Sequence, residues 1–257
     1  MSPMDRYAGY DAFAWTYNAH WGQRFVARAL PVLEGLVLCH LPVAACILDL
    51  CCGTGQLAHL LTARGYRVTG LDGSEAMLHL ARENAPEADF VLGDARDFQL
   101  PDRYHAVFST FDSLNHVMHL EELAAVFHHV VAVLHDGGWF LFDLNMEAAY
   151  LSTWRGSFGI VEDDQVCVVR SSFYAAERTG RTDITLFRLE DGWQRTDLTL
   201  WQRCYSEAEV RSSLGEAGFA EIEAYDAAQF PALEGHIGRT FFCCRKRDSG
   251  AGSSGPD

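Results

Sequence analysis

The feature that most constrains this chain is a short buried strand that runs directly into a glycine turn and then into a helix. Residues 46–50 read CILDL, residues 53–55 read GTG, and residues 55–64 carry leucines at helical spacing. Glycines let the backbone turn tightly and approach a ligand closely, and the N-terminus of the following helix points at that ligand. The sequence therefore predicts a ligand-binding strand–turn–helix unit.

This unit is the first of a series in which strands and helices alternate. Each predicted strand is short and apolar, and most are followed by a segment with apolar residues at helical spacing. The predicted strands are residues 46–50, 66–72, 89–94, 105–111 and 139–145, and the predicted helices are 55–64, 74–84 and 119–134. Five such units in a row predict a parallel, doubly wound sheet with helices on both faces.

The pattern changes after residue 158. Residues 158–205 alternate apolar and polar side chains with glycine turns, which predicts an inserted antiparallel β-meander of three strands, at 166–174, 182–189 and 195–205. One apolar face of it is expected to be a lid or a dimer contact. That face comprises Val166, Val168, Ile184, Leu186, Leu198 and Leu200.

Two further strands, 220–227 and 239–246, complete the prediction after a helix whose start carries a capping box, Ser206 with Glu209. The expected fold is α/β, a Rossmann-like, seven-stranded, mostly parallel doubly wound sheet with the inserted meander. It forms a single domain over residues 1–247. A tail rich in glycine and serine, residues 248–257, is expected to be disordered.

Aromatic side chains recur at helical spacing near the N-terminus. Tyr10, Phe13, Tyr17 and Trp21 lie three or four residues apart, which predicts a helical segment over residues 10–38 with an aromatic face. Such a helix either packs on the domain or covers a ligand. We expect a lid.

The composition limits the class of partner. Acidic residues outnumber basic ones 35 to 20, for a formal net charge of −15, whereas nucleic-acid binders present a basic face to phosphates. We therefore expect no nucleic-acid partner. No segment has the character of a secretory signal or a membrane span, and no cysteines form a CxxC pair. These features favour a cytoplasmic protein with reduced thiols, without a membrane partner and without a metal site.

Two ligand classes fit the glycine turn. The string from Gly53 also satisfies the GxGxxA pattern of dinucleotide sites, which is weak alone. Asp49, four residues before it, would disfavour a pyrophosphate but could accept from an ammonium group. Asp72 ends the second strand, where a carboxylate can bind both ribose hydroxyls, although it could instead cap the next helix. Asp94 ends the third strand.

In combination these segments resemble motifs of the class I S-adenosylmethionine (SAM)-dependent methyltransferases, in their small-molecule branch. The strings that carry the resemblance are DLCCGTG from residue 49, GLDGSEAML from 70, GDARDF from 93, FSTFDSLNH from 108 and FDLN from 142. The inserted meander is similar to that of bacterial sugar-amine N-methyltransferases. The resemblance implies SAM as the cofactor.

The resemblance also implies residue roles near the reactive end of SAM. Gly53 and Gly55 would admit the methionine part, with Asp49 beside them. Phe111 would line the sulfonium side, and Tyr17 would cover the methionine carboxylate. The plain alternative for Phe111 is core packing.

At the adenosine end, the resemblance implies that Asp72 holds the ribose and that Met77 packs on the adenine. Asp94 would accept from the adenine amino group while the backbone N–H of Ala95 donates to the ring. Core packing is again the alternative for Met77.

The expected reaction transfers a methyl group to a nitrogen or oxygen atom of a small-molecule acceptor and releases S-adenosylhomocysteine. Proximity and exclusion of water supply most of the catalysis, and a base is needed only if the acceptor must lose a proton. His116 is the candidate base, because it follows the fourth strand. The alternatives are a methyltransferase acting on protein or RNA, and a SAM-binding protein that does not methylate. We also expect that the chain can form a homodimer.

Overall fold

A seven-stranded sheet forms the centre of the molecule. The computed structural model describes residues 3–101 and 103–248, with side chains from residue 7 onward. The strands are β1 (Cys46–Leu50), β2 (Arg67–Asp72), β3 (Asp89–Leu92), β4 (Tyr104–Ser109), β5 (Leu134–Asn145), β10 (Phe219–Asp226) and β11 (Arg239–Lys246). Their order is β10-β11-β5-β4-β1-β2-β3, with β11 antiparallel to both neighbours and all other pairs parallel. The predicted fold class is confirmed.

Seven α-helices flank the strands of the described part. They are α1 (Pro3–His20), α2 (Gly22–Leu36), α3 (Gln56–Thr62), α4 (Glu75–Asn84), α5 (Leu120–Val133), α6 (Glu147–Thr153) and α7 (Glu207–Ala217). One apolar layer joins α5 and α7 to the sheet, and a second joins α2 and α3 to its other face. The predicted capping box of α7 is present, with Ser206 accepting from the Glu209 N–H and Glu209 accepting from the Ser206 N–H.

The N-terminal segment differs from the single predicted helix. The chain forms two helices that meet at Trp21, and the first begins at Pro3 instead of residue 10. Trp21 keeps helical backbone angles, so the aromatic spacing continues through the break and conceals it. The break lets α2 pack on the sheet while α1 crosses the ends of the strands.

The insertion also differs in detail. It is a four-stranded antiparallel sheet, β6 (Gly156–Val161), β7 (Gln165–Tyr174), β8 (Thr179–Leu189) and β9 (Trp193–Arg203), so the predicted three strands were one too few. The missed strand, β6, is mostly exposed and contains two glycines, which weakens its pattern. The predicted extents of the domain, lid, insertion and tail stay predictions, and residues 249–257 of the tail lie outside the described residues.

The face of the meander that packs on the domain was predicted one residue out of register in β7. Cys167 and Val169 pack with Phe13 of α1, and their strand partners Leu186 and Ile184 share that face. Val166 and Val168 lie on the outer face instead. The run VCVV has no polar residue to mark the alternation, and a one-residue slip exchanges the two faces of a strand.

One buried side chain holds the two ends of the insertion together. The amide of Asn115 donates to the carbonyls of Asn145 (3.1 Å) and Arg203 (2.8 Å). Its carbonyl accepts from the Asn145 N–H at 2.8 Å. The chain therefore leaves the main sheet and returns to it at one point beside β4.

Candidate active site

The glycine turn after β1 has the tight geometry that its sequence predicts. Cys51, Gly53 and Gly55 have φ values of 60°, 54° and 80°. A Cβ at Gly55 would lie 3.0 Å from the Cα and Cβ of Ala81 in α4. Glycine is therefore required at residue 55 both by its backbone conformation and by the close approach of α4.

Asp49 lies beneath this turn and is 2% exposed. Its Oδ2 atom is buried and has no hydrogen-bond partner among the described residues. Burial, together with the charge of Asp72, raises the pKa of Asp49 to about 7, and a hydrogen bond from the Ala58 backbone opposes the shift. An unpartnered buried carboxylate oxygen costs free energy unless a ligand supplies a donor.

Asp72 at the end of β2 binds the turn directly. Its Oδ2 accepts from the Gly53 N–H at 2.8 Å, and its Oδ1 accepts from the Ser74 N–H at 3.0 Å. The helix cap is Ser74, whose Oγ accepts from the Met77 N–H at 3.1 Å. Asp72 is therefore not the cap of α4, and burial raises its pKa.

The residues predicted for the adenosine end lie further along the same edge. Burial would raise the pKa of Asp94, but the hydrogen bonds and charge of Arg96 outweigh it and lower the pKa to about 2. The Nε of Arg96 lies 2.7 Å from Asp94 Oδ1. Ala95 is buried beside this pair, and Met77 is buried in the cluster that α1 shares with the meander. Their contacts with SAM stay predictions.

Helix α1 crosses the ends of β1, β2 and β4, and the rings of three of its tyrosines lie against the site. A Cβ at Gly53 would lie 3.4 Å from Cε1 of Tyr17, and a side chain at Gly73 would overlap the ring of Tyr7. The ring of Tyr10 meets that of His116 edge-on, with 5.5 Å between centroids. The site thus lies beneath α1 from the β2 end to the β4 end.

Beyond β4 the backbone takes two consecutive left-handed conformations, at Phe111 (φ 65°) and Asp112 (φ 50°). Such residues are costly unless their surroundings hold them. The carboxylate of Asp143 accepts from both their N–H groups, at 2.7 and 3.0 Å. Arg239 pairs with Asp143 and, at 2.5 Å, with Asp112, so one buried guanidinium joins two buried carboxylates.

Phe111 is held in an aromatic stack. Its ring lies parallel to that of Phe25 in α2, with 4.3 Å between centroids and 9° between planes. The centroid of the Tyr17 ring lies 6.0 Å from that of Phe111, and the guanidinium of Arg239 lies over both phenylalanine rings. The structure thus brings Phe111 and Tyr17 together beside the glycine turn, and the role of Phe111 towards SAM stays a prediction.

His116 lies in the short 3₁₀ turn after β4. Its Nε2 is 3.0 Å from Nε2 of Gln202 in β9, and its Nδ1 is buried without a hydrogen-bond partner among the described residues. Burial lowers the pKa of His116, while the charge of Asp112 and the Trp201 backbone oppose the shift. Burial therefore favours the neutral ring, and the assignment of His116 as a base stays a prediction.

Several residues of the site were not identified from the sequence. Tyr7 extends the aromatic series of α1 by three residues and could have been found from that spacing. Asp112 and Asp143 lie inside the quoted motifs and could have been considered as strand-end acids. Arg239 and Gln202 have no local signal, because only the tertiary fold brings β11 and β9 to the end of β4.

The donor set suits a cationic organic ligand. No lysine, arginine or histidine of the described chain forms an ion pair with Asp49 or Asp72. The residues described contain no group of three or more histidine, cysteine or acidic side chains able to hold a metal ion. SAM carries an ammonium and a sulfonium group, so the unpartnered Asp49 oxygen beside the glycine turn fits it.

The sheet order, the glycine turn after β1 and the acidic ends of β1 and β2 together define a class I SAM-dependent methyltransferase. A methyltransferase domain model matches residues 47–138. An uncharacterized methyltransferase of Synechocystis is 33% identical over 147 residues, which span 53% of this chain and 69% of that protein. The chain therefore belongs to this methyltransferase family; it is an enzyme and SAM is its cofactor.

Two further comparisons concern enzymes named for amino sugars. A dTDP-3-amino-3,6-dideoxy-α-D-glucopyranose N,N-dimethyltransferase of Streptomyces fradiae is 44% identical over 107 residues, which span 41% of this chain and 42% of that relative. CalS10, a SAM-bound amino pentose methyltransferase of Micromonospora echinaspora, has a TM-score of 0.69 and 22% identity. That superposition covers 91% of this chain and 96% of the other. In the part described here, no helix is long and apolar enough to cross a membrane.

Proposed function

We propose that the enzyme methylates the amino nitrogen of a deoxyamino sugar nucleotide and releases S-adenosylhomocysteine. The enclosure of the site supports a small acceptor, and the similarity to the Streptomyces fradiae amino sugar N,N-dimethyltransferase supports the amino sugar. Helix α1 lies over the ends of β1, β2 and β4, and the meander packs on α1 through a shared buried cluster. A small acceptor fits beneath such a cover, whereas a protein or RNA strand would have to displace α1.

The proposed chemistry divides between the two ends of the site. SAM, when bound, supplies an electrophilic methyl group on its sulfonium. Asp49 and Asp72 hold and orient the cofactor, and Phe111 with Tyr17 excludes water beside the glycine turn. His116 meets the acceptor at the end of β4. Orientation and desolvation then account for most of the rate, as expected for an acceptor amine that arrives neutral.

The test uses methyl-labelled SAM with dTDP-3-amino-3,6-dideoxy-α-D-glucopyranose as the acceptor. We expect S-adenosylhomocysteine release together with label on the sugar nucleotide. The matched control is the same nucleotide sugar with a hydroxyl in place of the amine, which should take no label. Label on protein or RNA from a cell extract instead would favour a macromolecular acceptor. No S-adenosylhomocysteine from any acceptor would favour the SAM-binding protein that does not methylate.

We also propose a homodimer that pairs through the outer face of the meander. Val161, Trp193 and Leu189 are exposed there, by 76%, 51% and 44%. Exposed apolar patches of this kind are typical of protein interfaces. Sedimentation should show a dimer that the double variant Val161→Glu, Trp193→Glu dissociates, and a wild-type monomer would contradict the proposal. A cytoplasmic location suits the eight cysteines, all of which are free thiols.

A further inference from the structure

The polar groups around His116 form a chain that begins on α6. The hydroxyl of Tyr150 donates to Oε1 of Gln202 at 2.9 Å. Nε2 of Gln202 then lies 2.5 Å from Asp112 Oδ2 and 3.0 Å from His116 Nε2. Gln202 is 3% exposed, so its amide meets these groups without competition from bulk water.

The orientation of the Gln202 amide follows from its neighbours. Asp112 is ion-paired with Arg239 at 2.5 Å, so its carboxylate is an acceptor only. Reversing the amide would place the carbonyl oxygen of Gln202 against the carboxylate oxygen, and two acceptors at that distance repel. The amide nitrogen therefore faces Asp112, and the carbonyl faces Tyr150.

The same orientation determines the tautomer of His116. The amide nitrogen of Gln202 carries two hydrogens and no acceptor lone pair. One hydrogen goes to Asp112, and the other points to Nε2 of His116. That ring nitrogen must then be an acceptor, so in a neutral imidazole the proton is on Nδ1, the buried atom that has no hydrogen-bond partner among the described residues.

We infer that Gln202 is a positioning residue that fixes His116 in the Nδ1–H tautomer, so that His116 offers a hydrogen-bond donor to an oxygen atom of the acceptor and leaves the amine lone pair free to attack the methyl group. This inference rests on the proposed place of the acceptor beside His116. In this arrangement the Nε2 lone pair is engaged by Gln202, and no lone pair is left to remove a proton. The methylated amine therefore keeps its proton as an ammonium group until the product has left the site.

Gln202 gives the meander a second role, at the ring of His116. Gln202 belongs to β9, and the groups it joins belong to the loop after β4 and to α6. The other charged or titratable groups near the ring are Asp112 with Arg239, Tyr150 and the Tyr10 ring of α1. A shift of the meander would release the amide and free the histidine to exchange tautomers.

The test reads the tautomer directly. Full-length protein labelled with [15N]histidine gives separate nitrogen shifts for protonated and unprotonated ring nitrogens, and His116 is assigned from the signals missing in His116→Asn. We expect Nδ1 protonated and Nε2 unprotonated in the wild type. In Gln202→Met the two tautomers should mix, while Gln194→Met, an exposed change on the same strand, should leave the signals unchanged.

A second variant keeps the test valid if Gln202→Met does not fold. Tyr150→Phe removes the hydroxyl that holds the Gln202 carbonyl and should produce a smaller mixing of the tautomers. The inference is overturned if the wild type carries its proton on Nε2, or if both variants keep the wild-type shifts. Because these measurements need no acceptor, their failure is distinguishable from failure of the proposed amino sugar substrate.

Kinetics with the amino sugar nucleotide give an independent readout. The amide nitrogen of asparagine can occupy the place of imidazole Nδ1, so His116→Asn should keep kcat within about tenfold of wild type. His116→Ala should fall further, without a change in the KM for SAM. Equal, large losses in Asn and Ala variants, with loss of a pH-dependent limb, would assign His116 as a base and contradict the inference.

Discussion

The buried carboxylates at the two ends of the candidate site differ in whether a basic side chain neutralises them. At the proposed cofactor end, Asp49 has an oxygen without a hydrogen-bond partner among the described residues, and Asp72 accepts from the backbone N–H groups of Gly53 and Ser74. At the acceptor end, Asp112 and Asp143 share the guanidinium of Arg239. The carboxylates of the proposed cofactor end therefore lack a cation among the described residues, whereas those of the proposed acceptor end are balanced by Arg239.

The largest expected effect on stability comes from removing the cation that neutralises the carboxylates of the proposed acceptor end. Arg239→Met leaves two buried carboxylates without their cation, which should lower the free energy of unfolding by about 3–5 kcal/mol. Chemical denaturation measures it. Arg195→Met, which removes an exposed ion pair with Asp197, is the control and should leave the free energy of unfolding nearly unchanged. Similar losses in the two variants would show that the buried triad is no more important than a surface pair.

Asp72→Ala tests the proposed cofactor end of the site. Two charge-assisted bonds to ribose hydroxyls, at roughly 1.5–3 kcal/mol each, predict SAM binding at least about a hundredfold weaker by calorimetry. The Gly53 and Ser74 N–H groups also lose their acceptor, so the free energy of unfolding should fall by about 1–3 kcal/mol. Asp72→Asn should be milder in both respects. Lower stability with unchanged SAM affinity would restrict Asp72 to holding the turn.

The raised pKa of Asp49, about 7, makes cofactor binding depend on pH. Below this value the carboxyl is protonated and cannot pair with an ammonium, so the Kd for SAM should rise about tenfold per pH unit as pH falls from 7. Titration calorimetry between about pH 6 and pH 8 measures this slope. Asp49→Asn should bind more weakly with a flat profile, and a wild-type profile equally flat would contradict the assignment.

Without SAM, the free energy of unfolding should also depend on the protonation of Asp49. It should fall as pH rises, whereas the affinity for SAM should rise with pH. The folded-state pKa lies above the ordinary value of 3.8, so between these two values the folded protein holds a proton that the unfolded chain has released. The contribution of Asp49 to stability therefore falls as pH rises from about 4 to 7. Comparing wild type with Asp49→Asn across that range isolates the effect.

The smallest expected effect concerns a neutral group at the cofactor end. Ser74→Ala removes the cap of α4 and the hydroxyl that donates to Asp11 at 2.6 Å, for a loss of about 1 kcal/mol in unfolding free energy. SAM affinity should stay close to wild type, because no charge changes. Ser206→Ala, the cap of the distant α7, is the matched control. A large loss of SAM affinity in Ser74→Ala alone would show that polarity, and not charge, governs the cofactor end.

The parallel sheet, and the convergence of the residues of the proposed cofactor end, could be predicted from the sequence because their signals are local. Asp49, Gly53 and Asp72 lie at fixed spacings from strand ends, and the strand–turn–helix geometry brings them together without reference to the rest of the chain. The acceptor end could not be predicted in the same way. Arg239 and Gln202 reach Asp112 only through the antiparallel strand and the docked meander, contacts at long sequence separation that no periodicity records.

The remaining differences have equally physical causes. Trp21 keeps helical angles at the junction of two helices, so spacing alone cannot reveal the break. Cys167 and Val169 share an unbroken apolar run with their neighbours, so the run fits either face of the meander. Where one face of a strand is not marked by polar residues, only packing against α1 decides the register.

The amide of Asn115 has a consequence for how enzymes of this kind can diversify. Its hydrogen bonds hold the backbone of residues 145 and 203 close together, so the insertion begins and ends at one place on the domain. A segment attached in this way is a natural unit for recombination. A meander transplanted from a relative at these two residues should fold on an undisturbed catalytic domain, provided that it retains a glutamine for His116 and an inner face that fits α1.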